Sequence, residues 1–299
     1  MTGKVIAVAN MKGGVGKTTL VVGLAETLAA LGSQRRKINV LVIDLDAQAN
    51  ASMCIAGDDL LDGLITADKT VEVFLTRGVM HNEPVRLTDF VRHHATSLCS
   101  GNEPIALALV PASPELRYAE REIIYTLTRS GFSLQAVEGR VRELVHREVN
   151  GLREAFDYII FDCPPGISAF TEAVLKTSDL VISPVVPDRL STYGLIGFCD
   201  RVLASPRASL GALRLPWVLA NRVTNTKVAQ NRLAEMRLET VQPDAGFRMF
   251  TTQIPQSAAL VAAVEYDDPA PTYAKKYGDA RYVLQALARE TLEILDAHR

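Results

Sequence analysis

Short, almost continuously apolar runs recur along the chain, with amphipathic stretches between them. "KVIAVAN" at 4–10, "NVLVIDLD" at 39–46, "ALALVPA" at 106–112 and "DYIIFDCP" at 157–164 are followed by "DLVISPVV" at 179–186, "PWVLANRV" at 216–223 and "FRMFTTQI" at 247–254. Strands that face water on one side alternate apolar with polar. These runs do not, so they predict strands covered on both faces. Between them, apolar residues fall at helical spacing: Leu20, Leu24, Leu28 and Leu31, then Leu116, Ala119, Ile123 and Leu127, then Leu134, Val137, Val141, Leu144 and Leu152. The βαβα order implies right-handed crossovers. The predicted fold is therefore α/β, a doubly wound, mostly parallel sheet flanked by helices, with ligands at the carboxyl ends of the strands.

Two stretches complete the outline. Residues 279–297 place Val283, Leu284, Leu287, Leu292 and Leu295 on one side and predict a terminal helix docked on the sheet. Residues 57–105 carry turn-like punctuation around two short helical patterns and predict an edge insertion within a single domain spanning 1–299.

Composition narrows the classes. The 299 residues are 48% hydrophobic and 22% charged with a formal net charge of -2, a globular balance that argues against a nucleic-acid coat protein but leaves room for a local basic face. The four cysteines form no C-x-x-C pair and nothing at the start resembles a signal peptide, so a reducing cytoplasm is expected. No apolar run is long enough to span a bilayer. His93 and His94 lack a second ligand cluster and predict a solvated loop rather than a metal site.

"MKGGVGKT" at 11–18 follows a strand and precedes a helix, the context a phosphate-binding loop requires. Met11 stands where the usual first glycine of such a loop would be. Gly13, Gly14 and Gly16, with Val15 between them, still let backbone N–H groups turn toward phosphate oxygens at a helix N-terminus. Lys17 is expected to hold the β- and γ-phosphates and the Thr18 hydroxyl a Mg²⁺ ion, with Thr19 completing the nucleotide-binding stretch. One lysine suffices for this, which leaves Lys12 without a role in its own loop.

"KGGVGKTT", "VIDLDAQAN" and "YIIFDCPPG" together resemble the three nucleotide motifs of the ParA/MinD family of ATPases with a deviant Walker A box, and the resemblance runs from residue 4 to about 295. The resemblance implies a P-loop NTPase that hydrolyses ATP with Mg²⁺, weakly alone and faster with a partner. It implies that Lys12 reaches across a homodimer to the partner's nucleotide, as an arginine finger does in trans. By the same resemblance Asp46 positions the attacking water, and Asp44 and Asp162 help hold the hydrated Mg²⁺. "CPPG" after Asp162 would sense the γ-phosphate, Asn221 would read the adenine edge, and Pro255 would flank the base. Ala47 stands where the family usually has proline.

The ParA branch binds nonspecific DNA as an ATP dimer and is released by hydrolysis, so that a plasmid, chromosome region or other cargo moves over the nucleoid. Residues 201–248 contain eight Lys or Arg against three Asp or Glu, and Arg201, Arg222, Lys227 and Arg232 are the expected DNA contacts, with Lys275, Lys276 and Arg281 as additions. Gln256 and Ala259 occupy a loop where the family often carries arginines. "LALVPASPELRYAEREI" at 107–123 resembles the ParA branch more than the MinD one. Glu290, Glu293 and Asp296 on the last helix are also unlike the basic face of a membrane anchor. The expected partners are thus a second copy, nucleoid DNA and a ParB-like stimulating protein, with no membrane. The chain opens on its first strand, so no operator-binding helix-turn-helix is expected. The alternative is a MinD-like membrane-associated ATPase or a metabolic one. A nitrogenase-reductase-like donor would need glycine-flanked cysteines, which Cys99 and Cys163 are not.

Overall fold

The computed structural model describes residues 2–32, 36–199, 215–242, 245–264 and 272–297. The first half runs β1 (Lys4–Val8), α1 (Lys17–Ala30), β2 (Val40–Asp44), α2 (Asn50–Ala56), α3 (Asp58–Thr66) and α4 (Val71–Leu75). A two-strand hairpin of β3 (Cys99–Ser100) and β4 (Glu103–Pro104) precedes β5 (Leu107–Val110), α5 (Leu116–Arg129) and α6 (Leu134–Leu152). Then come β6 (Tyr158–Asp162), α7 (Ala169–Thr177), β7 (Leu180–Val185), α8 (Arg189–Phe198) and β8 (Trp217–Ala220). The last elements are α9 (Lys227–Glu239), β9 (Arg248–Met249), α10 (Ala258–Val264), α11 (Tyr273–Tyr277) and α12 (Ala280–Ala297).

Every apolar run forms a strand, and all seven join one sheet in the order β5-β2-β6-β1-β7-β8-β9. Each pairing is parallel. The absence of alternation in the runs has a direct cause. Val5, Ala7, Leu41, Ile43, Ala108, Val110, Ile159 and Phe161 enter one apolar cluster. Their neighbours Ile6, Val8, Val40, Val42, Leu107, Leu109 and Ile160 enter another on the opposite face. Successive side chains of a strand point to opposite sides, so both sides are dry. The observed strands are shorter than the runs, because the carboxyl ends leave the ladder to form the loops of the site.

Helix α1 is buried over most of its circumference, with Leu20, Val21, Val22, Leu24, Ala25 and Leu28 all interior. It lies between the sheet and α12, whose Leu284, Leu287, Ala288 and Leu295 pack in the same cluster. The predicted apolar stripe of α6 holds with one correction. Leu134 is 53% exposed, because it is the first helical residue after the Ser133 cap, whose hydroxyl accepts from the Ala136 N–H.

Residues 57–105 do not stand off from the sheet. Val71, Phe74, Leu75, Val79, Leu87 and Phe90 share the cluster of α5 and α6. Arg92 pairs with Leu109 and the Ala95 N–H donates to the Leu107 carbonyl at 2.9 Å, so this segment shields the edge of β5. His93 is exposed and its ring stacks on Phe156. No helix of the described residues is long and apolar enough to cross a membrane.

Candidate functional site

β1 and β7 are neighbours at the centre of the sheet, and the glycine-rich loop leaves the end of β1 there. Gly14 and Gly16 have φ of +76° and +86°, a left-handed backbone that side-chain-bearing residues adopt only at a cost. Gly16 is the residue on which α1 begins. A Cβ on it would lie 2.4 Å from Asn221 Nδ2, so glycine is required there by conformation and by space. Asn10, just before the loop, accepts the Lys12 N–H at 2.9 Å and donates to the Pro184 carbonyl at 2.9 Å, fastening the loop to the end of β7.

Lys17 lies within the loop it serves, 7% exposed, with Nζ 3.2 Å from the Lys12 carbonyl. Burial lowers its pKa, against the pull of Asp162 and Asp46. An ammonium stripped of water and left with one backbone acceptor is primed for an anionic ligand.

Asp44 and Asp162 end adjacent strands and sit directly opposite each other in the β2–β6 register. Thr18 Oγ1 donates to Asp162 Oδ2 at 2.7 Å. Asp162 Oδ1 is buried and has no hydrogen-bond partner among the described residues. Burial and the facing Asp44 raise the Asp162 pKa well above the usual carboxylate range. An orphaned, charge-repelled carboxylate oxygen beside a hydroxyl whose lone pairs remain available is a donor set that suits a hydrated Mg²⁺.

Asp44 differs from the expectation placed on it. Both of its oxygens are engaged inside the protein: Oδ1 accepts the Asp46 N–H at 3.0 Å, and Oδ2 accepts the Ser52 N–H at 2.9 Å and hydroxyl at 2.7 Å. It is fully buried, and burial pushes its pKa up to about 6. Asp44 therefore braces the segment that carries Asp46, and the oxygen open to a cation belongs to Asp162. Asp46 itself is half-buried, with Oδ1 accepting the Gln48 N–H at 3.0 Å.

Lys12 makes its contacts within its own chain. Nζ donates to Ser191 Oγ at 2.7 Å and lies 3.5 Å from Asp188 Oδ2, at the start of α8. Asp188 and Ser191 had no recognisable motif in the sequence.

A cavity of about 190 Å³ opens beside Gly16 and Thr19, walled by Asn221, Pro255, Gln256 and Leu260. Pro255 and Asn221 thus stand where the base was expected. The Asn221 amide, however, is occupied: Nδ2 donates to the Val15 carbonyl at 2.7 Å and Oδ1 accepts the Arg222 N–H at 3.0 Å. It clamps the phosphate loop from behind. Glu290 of α12 accepts the Thr251 and Thr252 N–H groups at 2.6 and 2.8 Å and holds the loop that leads into this wall.

Of the expected DNA residues, three lie among those described. Arg201 lies outside the described residues. Arg222 lines the cavity beside Gly16. Lys227 and Arg232 share α9, where Arg232 pairs with Glu235 at 2.6 Å. Lys276 is no surface charge either, since its ammonium is buried on Glu26 at 2.6 Å. The Cys163 thiol is fully buried, which pushes its pKa up and makes it a packing residue.

Residues 3–206 match the model of a family described as an AAA domain. Over 288 residues the chain is 29% identical to the sporulation initiation inhibitor protein Soj of Bacillus subtilis, covering 96% of this chain and 98% of Soj. Among solved structures it is similar to an ATP complex of Cyanothece McdA, with a TM-score of 0.68, 21% identity and 97% and 96% of the two chains covered. It is also similar to pNOB8 ParA bound to nonspecific DNA, with a TM-score of 0.65, 17% identity and 99% and 100% covered.

Proposed function

We propose, from the premise that this chain belongs to the AAA domain family and to the ParA/MinD-type P-loop ATPases of the partition branch, that it is a positioning ATPase. It dimerises on ATP, binds nonspecific DNA in that state, and is released when hydrolysis opens the dimer. The observation that carries the reading is the Thr18–Asp162 pair with its orphaned oxygen, in a chain whose Gly16 and Thr19 also border a cavity of about 190 Å³.

The proposed roles draw on the family resemblance together with the contacts described above. Backbone N–H groups of 13–17 and the desolvated Lys17 bind the phosphates. Thr18 and Asp162 would hold Mg²⁺, which supplies charge neutralisation of the β- and γ-phosphoryl oxygens. Asp46, held by Asp44, orients water toward the γ-phosphorus. Lys12 leaves Ser191 and Asp188 and meets the partner's phosphates, so its charge is exchanged between an intrachain and an interchain acceptor. The buried apolar face of α12 on α1 argues for DNA rather than lipid as the large surface bound. pNOB8 ParA, which has the same fold, is bound to nonspecific DNA.

The test is sedimentation with and without ATP and Mg²⁺, followed by retention of random-sequence duplex. The expected outcome is an ATP-dependent dimer whose DNA binding falls as salt rises, with a log–log slope of about -0.9 per phosphate neutralised. A protein that stays monomeric with a nonhydrolysable analogue, or that binds DNA equally without nucleotide, overturns the reading.

A further inference from the structure

We infer that Ser52 is a positioning residue for hydrolysis, holding Asp46 in place through the Asp44 carboxylate and tying both to the loop that opens α5. The inference rests on the assignment of Asp46 to water orientation. Four hydrogen bonds carry it, three of them buried. The Ser52 hydroxyl has one proton, and it goes to Asp44 Oδ2 at 2.7 Å. The Ser52 Oγ in turn accepts the Ala112 N–H at 3.0 Å. The Ser52 N–H adds a second bond to Asp44 Oδ2 at 2.9 Å, and Asp44 Oδ1 takes the Asp46 N–H at 3.0 Å. Asp44, Ser52 and Ala112 are all fully buried, so the three bonds among them are shielded from exchange with water.

The chain of contacts continues past Ala112. Ser113 donates through its hydroxyl and its N–H to the buried carboxylate of Glu72 in α4. The Val71 N–H donates to the Pro111 carbonyl at 2.8 Å. The 111–113 loop is thereby anchored to α4 on one side and to Ser52 on the other. From there it leads directly into α5, whose Tyr118 and Tyr125 are exposed. A displacement of this loop pulls on the Ser52 hydroxyl, which donates to Asp44, the brace of Asp46. Ser52 touches no reacting atom in this arrangement. Its effect should appear in turnover and not in nucleotide affinity, because its hydrogen bonds among the described residues go to Asp44 and Ala112 and not to the phosphate loop.

The experiment compares the full-length wild type with Ser52→Ala, Ser52→Cys and Ser52→Thr. It measures single-turnover ATP hydrolysis, the Kd for a nonhydrolysable ATP analogue and the thermal midpoint. Ser52→Ala and Ser52→Cys should turn over at least about 10-fold more slowly with Kd within about 3-fold of wild type. Ser52→Thr keeps the hydroxyl and should restore most of the rate. If the alanine variant does not fold, cysteine, which exchanges the oxygen for a larger sulfur, and threonine, which keeps the oxygen and adds a methyl, still decide the matter. Equal rates for those two, or a rate and affinity that fall together, overturn the inference. A wild type that does not hydrolyse ATP removes the functional reading itself, which is a distinct result from an active wild type matched by an equally active Ser52→Cys.

Discussion

Gly16→Ala is the sharpest test of how the nucleotide loop is built. The residue has φ 86° and ψ 32°, and a left-handed backbone costs a side-chain-bearing residue about 1–2 kcal/mol. The new Cβ would meet Asn221 Nδ2 at 2.4 Å, so the amide must leave its 2.7 Å bond to the Val15 carbonyl. Stranding that buried donor adds roughly 1–3 kcal/mol, for a combined loss of about 2–5 kcal/mol. Asn221→Ala removes the amide and clears the space, so Gly16→Ala in that background should lose only the conformational part. The pair should fall short of additivity by about 1–3 kcal/mol, the part due to the stranded donor. Urea unfolding of the four proteins gives the cycle, and binding of a fluorescent ATP analogue reports whether the loop still closes. Asn221→Ala should weaken ATP and GTP to the same degree, because it releases the loop rather than a base contact. Strict additivity of the two substitutions would refute the clamp, and a selective loss of ATP over GTP would return Asn221 to base reading.

Lys12→Ala should leave ATP affinity nearly unchanged and abolish ATP-dependent dimerisation, as read by ultracentrifugation. Monomer stability should move by less than about 1 kcal/mol, since the Lys12–Asp188 pair is 39% and 44% exposed. Asp162→Asn should eliminate Mg²⁺-dependent hydrolysis while raising the unfolding midpoint of the ligand-free protein, because it relieves a buried charge facing Asp44; a lowered midpoint would refute the repulsion. Asp44, with a folded pKa of about 6 against an ordinary 3.8, holds a proton that the unfolded chain has already released. Ligand-free stability should therefore decline as pH rises from about 4 to about 6 and then level off, with roughly 3 kcal/mol as the ceiling for this group. Thermal melts in EDTA across that range check the sign. Asp46→Ala should bind ATP and persist as a dimer; wild-type turnover by this variant would remove its role with water.

Legibility in the sequence followed range. The strands were readable because burial on both faces suppresses alternation, as Val40 to Asp44 illustrate with five consecutive buried residues. The phosphate loop was readable because its glycines, lysine and threonine act within eight positions. Leu134 was misplaced, since helical spacing continues through the first residue after a cap even where the partner helix has ended. Asn221 was legible as a site residue but not in its action, because its acceptor lies 206 positions away on Val15. Lys276 counted as a surface charge until Glu26, 250 positions earlier, turned out to bury it.

By itself, then, the order of residues determined the α/β layering, the phosphate loop and the carboxylates at two strand ends. These depend on local periodicity and on backbone conformations that glycine alone accepts. Only the tertiary structure decided how the charges are used. Packing removes water from Asp44 and Asp162 together, satisfies every oxygen of one and leaves one oxygen of the other unpaired. It also leaves Lys12 held by Ser191 and buries the Lys276 ammonium on Glu26. A charge's role depends on its dielectric surroundings and its partners, and those are supplied by segments folded against it from elsewhere in the chain.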